Sequence, residues 1–277
     1  MAAVMGQAVG RRSLRGSSKR SAPVESPEGA DRHRAALKRR LEELDELLQE
    51  LSRDEAEEPA EAVAEPPADP AKPRTPVSVI VGTSGLAAER PEIVKHLTQM
   101  VNRAYGYQRV DKHDIKDRLA MGDRGHGANR VLHIAFSGET PVGCMSSTFS
   151  VPWAEDGCGH WGLLVVDVER QGEGIASALV ASAEERLASA CVEIQMEYEF
   201  THGEDYSERL KAWYEGKCGF RCVTGGSRGY GTEFRKCRKR IPAEQQRRAR
   251  RQRVASIRAE LAEQLASLEA AVTVEPL

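Results

Sequence analysis

The sequence predicts an α/β protein: a mixed central sheet covered by helices, with one extra helix at each end. Three observations point there. Residues 162–180 place an apolar strand, a glycine turn and a helix start in unbroken succession. Residues 77–241 alternate short β-branched runs with helical stripes, and leucines at three- and four-residue steps recur outside that region.

The elements follow in chain order. Residues 1–30 form a basic tail in which Arg11, Arg12, Arg15, Lys19 and Arg20 precede the first acid, Glu25. That composition fits a disordered tail and is also compatible with an organellar transit peptide. Over 31–53, Leu37, Leu41, Leu44, Leu48 and Leu51 mark a short coiled-coil seam. Residues 54–76, filled with acids and prolines, read as a flexible linker. Within 77–241 the expected order is a strand at 77–82, helices at 91–105 and 114–121, and a hairpin of 130–137 with 141–149. Then come a strand at 159–168, a helix from Ile175, a strand at 191–200, a helix over 207–218, and closing strands at 220–224 and 231–239. Residues 242–277 form a last helix, with Val254, Ile257, Leu261, Leu265 and Leu268 on one face. Both end helices are basic first and acidic later, an order that opposes the helix dipole. Antiparallel pairing, within one chain or between two, would set basic halves against acidic ones; two separately solvated helices are the other reading.

The glycine turn is the first chemical signal. Leu163 to Val166 is an apolar run, Ile175, Leu179, Ala183 and Leu187 recur at helical spacing, and Gln171-Gly-Glu-Gly-Ile-Ala176 lies between. Gly172 and Gly174 allow close backbone approach, and the helix start aims free N–H groups at an anion, so a pyrophosphate would fit. A dinucleotide-binding fold would carry a third glycine where Ser177 stands and a longer alternation afterwards. Downstream, Ala212-Trp-Tyr-Glu-Gly-Lys-Cys-Gly-Phe220 closes an amphipathic helix at a Gly-Phe pair.

Together the two segments resemble the GNAT superfamily of acetyl-CoA-dependent N-acetyltransferases, over roughly 77–241. Gln171-x-x-Gly174-x-Ala176 matches the Gln/Arg-x-x-Gly-x-Gly/Ala pyrophosphate motif, and Tyr214 matches the tyrosine before the family's closing Gly-Phe. The resemblance implies a GNAT-like sheet, acetyl-CoA as cosubstrate, and direct attack of a primary amine on the thioester in a ternary complex. It implies pantetheine contacts along the strand, at Val166 and Val168, and phosphate contacts at Gln171, Gly172, Glu173, Gly174, Ile175 and Ala176. Ser207 stands where many members carry an asparagine that contacts the pantetheine arm. Tyr214 would donate to the departing sulfur, although Trp213 and Tyr214 on an amphipathic helix could both be core aromatics.

An ammonium with a pKa near 10.4 must lose its proton before it attacks, so a base or a water chain is needed. In histone acetyltransferase-type members a glutamate stands on the strand leading to the pyrophosphate turn, and here that place holds His160. Glu197 and Glu199, on the next strand, are rivals, and with Glu204 and Asp205 they favour a cationic acceptor: a protein lysine or N-terminus, or a small amine. The glycine-rich 122–127 segment reads as a lid over the acceptor or as a plain loop.

Composition narrows the classes. Lys plus Arg 40 against Asp plus Glu 42 gives a net charge of −2. No apolar run approaches the roughly 20 residues of a bilayer span, and no signal-peptide core is present, so a soluble, intracellular and most simply cytoplasmic protein is expected. The six cysteines show no Cys-x-x-Cys pair; reduced thiols packed in the sheet, and no metal site, are expected. The arginines between Arg247 and Arg253 leave a nucleic-acid-associated protein open, and a non-catalytic CoA-binding scaffold is a third class.

Overall fold

The computed structural model describes residues 27–56, 76–229 and 231–273. The expected basic tail and acidic linker lie almost wholly outside those residues. The first helix, α1, spans Pro27–Ala56, longer at both ends than the leucine seam suggests. There follow β1 (Ser78–Val81), α2 (Ser84–Glu89), α3 (Glu92–Tyr105), α4 (Lys112–Gly122), β2 (Arg130–Ser137), β3 (Thr140–Thr148) and β4 (Cys158–Val166). The chain continues through α5 (Ile175–Ala188), β5 (Glu193–Thr201), α6 (Asp205–Lys211), β6 (Arg221–Gly229), β7 (Thr232–Arg240) and α7 (Ala243–Thr273). Of these, α2 has no counterpart in the sequence reading; its six residues carry too little pattern, and Thr83 fixes it by accepting a hydrogen bond from the Leu86 N–H.

Seven strands form one sheet in the order β1-β2-β3-β4-β5-β7-β6, every pairing antiparallel except β4 with β5. Helices cover both faces of its centre, so Val131 to Phe136 of β2 are buried without a break. On one face α3 packs Ile93, Val94, Leu97, Met100 and Val101, at helical spacing, against Leu132, Ile134 and Cys144. On the other, α5 packs Ile175, Leu179, Ala183 and Leu187 against Met145, Trp161 and Ile194. Gly143 lets α5 come this close, since a Cβ there would lie 3.0 Å from Ile175, Leu179 and the Val165 carbonyl.

The end helices pair with each other inside one chain. Leu44 and Leu51 of α1 are buried against Val254 of α7, with Ile257 and Leu261 beside them. Lys38 lies 3.0 Å from Glu269, and Arg258 grips Asp45 through both of its guanidinium arms. The pairing is therefore antiparallel, and the unusual charge order is explained: basic starts meet acidic ends. At its other side α7 joins the sheet domain, where Arg253 lies over the Phe149 ring and donates to the His126 carbonyl, 2.9 Å away. His126 also contacts Ser256 and Glu260, so the 122–127 segment is tied to α7 as an anchored loop.

One expectation is corrected. Cys222 and Cys237 form a disulfide; they stand directly opposite each other on β6 and β7. Their separation of 15 residues hides that adjacency until the hairpin is drawn. Cys144, Cys158, Cys191 and Cys218 are free and buried, as expected.

Two outcomes follow. His133 is buried on β2 between Ser147 and Ser182, at 2.8 and 2.9 Å, and burial together with Arg186 pushes its pKa down to about 4. The unfolded chain takes up this proton near pH 6.5, so its contribution is whole above that pH and is lost as pH falls toward 4. Urea unfolding should show a loss of about 2–3 kcal/mol from this group between pH 7 and 4.5, largely absent in His133→Gln. For the helix pair, Leu44→Ala should cost about 2 kcal/mol, read as lost amide protection in α1 while β2 to β5 stay protected.

Candidate active site

Among the described residues, the only parallel pairing in the sheet creates the site. β4 and β5 are hydrogen-bonded only where Cys158, Gly159 and His160 face Glu193, Ile194 and Gln195. Beyond His160 the strands part: β4 follows β3, while β5 stays with β7 along its whole length. The parting coincides with an irregularity in β4, where the register against β3 shifts between Cys144 and Ser146 and Leu163 adopts a φ of 52°. A non-glycine residue in that region is a strained position of the kind found at functional sites. The edge of β4 from Trp161 to Val166 that faces β5 is thus left without a strand partner.

The pyrophosphate-type turn stands at the end of that open edge. Asp167 stops the strand by accepting from the Glu169 N–H, so Val168 falls in a single tight turn, 168–170, with an exposed side chain. This corrects the expected strand end: Val166 is on β4 and Val168 is not. Gly172 and Gly174 have φ of 87° and 85°, and Gly174 begins α5 with no side-chain cap. The first N–H groups of α5 thus face outward at a dipole's positive end, beside Ile175, which is buried, and Ala176, which is half-buried. Gln171 is exposed, and Glu173 is held by Arg170 at 2.8 Å.

His160 and Glu197, proposed from sequence as rivals, are brought together. Nε2 of His160 lies 3.0 Å from Oε2 of Glu197, across the strands just where they part. Glu197 accepts a second bond from Gln195 Nε2. Burial opposes its ionisation, yet the bonds from His160 and Gln195 outweigh this and hold the carboxyl below its ordinary range. The ionised carboxylate orients the imidazole with Nε2–H toward it, which leaves Nδ1 to accept a proton; that edge of the ring lies along Gly162. Trp153, exposed, meets the ring edge-on at 5.6 Å. Glu199 is exposed, farther along β5.

Tyr214 lies in a wide helical turn, Ala212–Lys217, that continues α6; Cys218 N donates to Trp213 O and Phe220 N to Tyr214 O. The sequence reading missed this widening, because one extra residue per turn leaves no mark in residue type. The phenol packs against Tyr198 and Trp213, both at 5.1 Å. Burial, with Tyr105 and Tyr206 adding to it, pushes its pKa well above 10, so it keeps its proton. Ser207 is buried at the start of α6, accepting from the Thr201 N–H and donating to Glu204.

Two residues escaped the sequence reading. Gln195 is fully buried, with Nε2 on Glu197 and an Oε1 that has no partner among the described residues. Trp153 lies in an irregular segment that gives no periodic signal.

Residues 94–220, the span that holds the open edge of β4 and the glycine turn, match the model of the Acetyltransferase (GNAT) family. Over those residues the chain resembles a GNAT-family domain. Solved structures similar to the chain include an acetyltransferase from Thermus thermophilus, 19% identical, covering 60% of this chain and 97% of that one at a TM-score of 0.44. A GNAT-family acetyltransferase from Streptococcus pneumoniae is 15% identical, with 60% and 100% covered and a TM-score of 0.47. PaiA N-acetyltransferase from Thermoplasma acidophilum, in complex with coenzyme A, is 11% identical, with 60% and 99% covered and a TM-score of 0.45. No curated protein matches the chain.

Proposed function

We propose that the protein is an acetyl-CoA-dependent N-acetyltransferase that acts on a primary amine. The observation that carries this reading is the parting of β4 and β5 at His160, with the Gln171–Gly174 turn at the far end of the opened edge. The unpartnered edge of β4 offers N–H and C=O groups to an extended amide chain such as pantetheine. Val166 lies on this edge, and Val168, in the turn that follows it, and Ser207, at the start of α6, are the other residues proposed for the pantetheine arm. The N–H groups after Gly172 and Gly174 would hold a pyrophosphate, with Gln171 and Glu173 framing the turn and Ile175 and Ala176 starting the helix.

Bound acetyl-CoA would supply the thioester carbonyl. His160 Nδ1 accepts the proton that the amine must lose, and Glu197 holds the ring and steadies the imidazolium. Gln195 Nε2 donates to the Glu197 carboxylate and so helps to hold the pair in place. Tyr214, held protonated, serves as the donor to the thiolate that leaves. The ammonium first gives a proton to His160, which releases it to solvent. As the C–N bond forms and the C–S bond breaks, the nitrogen loses a second proton and the sulfur takes one from Tyr214. The Tyr214 phenolate is restored by that second proton through water, so that one proton is released overall.

Two measurements test this. In calorimetry, wild type should bind acetyl-CoA in the micromolar range and Gly174→Trp should not, because a bulky residue at φ 85° strains the turn and fills the phosphate cradle; unchanged affinity in the variant rules out the placement. In acetyl-transfer kinetics over a panel of amines, His160→Ala should lower kcat about 100-fold or more, and Glu197→Gln about 10-fold with its lower pH limb shifted. Full activity in both would assign the base elsewhere.

A further inference from the structure

One row of polar side chains crosses four strands on the face that carries His160. The register sets Arg130 opposite Thr148, Thr148 opposite His160, and His160 opposite Gln195. Arg130 Nε donates to Thr148 Oγ1 at 2.9 Å. Two residues back along β3, Arg118 reaches in from α4 and donates Nη1 to Ser146 Oγ at 3.1 Å; Ser146 lies opposite Gly162, the residue beside the His160 ring. Ser146 and Thr148 are buried, and both arginines are half-buried.

A hydroxyl satisfies one guanidinium N–H and neutralises none of its charge. Elsewhere half-buried arginines meet carboxylates: Arg235 meets Glu215 and Glu233, and Arg170 meets Glu173. Arg186 instead has the Phe149 ring and two backbone carbonyls. Among the described residues neither Arg118 nor Arg130 forms an ion pair with a carboxylate. Asp114, one turn before Arg118, is engaged in the cap of α4 with Asp111. Burial first, and the like charge of Arg130 second, push Arg118 below its ordinary range, against smaller opposing contributions from Cys144 and Asp114. Two neighbouring guanidiniums, each with N–H groups beyond the one that bonds a hydroxyl, are a receptor for a planar carboxylate.

We propose that Arg118 and Arg130 hold a carboxylate of the acceptor, so that the substrate is an amine that carries its own acid group. This rests on the acetyl-transfer reading, which places the reacting amine at His160. Neighbouring strands are about 5 Å apart, and the arginines occupy hydroxyls one strand from β4, with Arg130 itself rooted two strands away; the amine and carboxylate are thus about 5–10 Å apart. A single α-amino acid's own amine and carboxylate are too close to reach both. Lysine's side-chain amine, measured to its own carboxylate, or the two ends of a short peptide, fit. Glu197 then faces the ammonium end and the arginines the acid end, which makes the groove complementary to a zwitterion.

The test compares lysine with cadaverine, which differ only by the carboxylate, as acceptors for the full chain. The lysine-to-cadaverine ratio of kcat/KM should be about 10 or more in wild type and should fall toward 1 in Arg118→Gln and Arg130→Gln, through a raised KM for lysine. Because the ratio is taken within one preparation, partial misfolding of a variant leaves it intact. A wild-type ratio near 1, or a ratio that persists in both variants, overturns the proposal. If neither amine is acetylated, lysine and cadaverine are titrated by calorimetry. Lysine binding that is lost in Arg118→Gln upholds the carboxylate site and counts against acetyl transfer to these amines; equal binding of the two, or none, overturns the site.

Discussion

Everything at the site depends on one place in the sheet: three residue pairs join β4 to β5, and then the strands separate. Parallel strands paired along their length would satisfy each other's backbone and leave no edge to a ligand. Here β5 is committed to β7 over all nine of its residues, and the distortion at Leu163 turns β4 toward β3. What results is an edge with unmet hydrogen bonds, open on one side and rooted in a packed sheet. His160 belongs to the last joined pair, so it sits where the two strands stop constraining each other, and its bond to Glu197 spans the opening.

The surrounding elements hold that opening in shape. Gly143 and Gly159 have no side chains where α5 presses on the sheet, and so the helix whose start forms the glycine turn is fixed relative to β4. On the other face α3 and α4 fix β2 and β3 and bring Arg118 over Ser146. Arg253 and His126 join the α1–α7 pair to the loop before β2. Charge is sorted in the same way. The described acids on the open face near His160 are on β5, while the arginines without carboxylate partners are on β2 and α4, with the histidine between them.

Much of this was legible in residue order. The strand, turn and helix at 162–180 announced themselves because glycine at positive φ and an uncapped helix start leave a direct trace in residue type. Charge order offered antiparallel pairing of the end helices as one of two readings, and Lys38 with Glu269 and Asp45 with Arg258 realise it within one chain. What stayed hidden were relations across the sheet. His160 and Glu197 are 37 residues apart and read as competitors; only the β4–β5 register makes them partners. The β6–β7 register likewise exposes the Cys222–Cys237 bond, and the registers from β2 to β5 expose the row from Arg130 to Gln195. The wide turn at Tyr214 and the early end of β4 at Val166 are backbone events, decided by hydrogen bonds that composition does not encode.

The central claim, that the opened edge of β4 and the turn after it are one ligand surface, is tested most directly by amide hydrogen exchange with and without acetyl-CoA. The account predicts new protection confined to residues 161–166 and 172–176, the strand edge and the helix start together. Protection at one without the other, or elsewhere in the sheet, would contradict it.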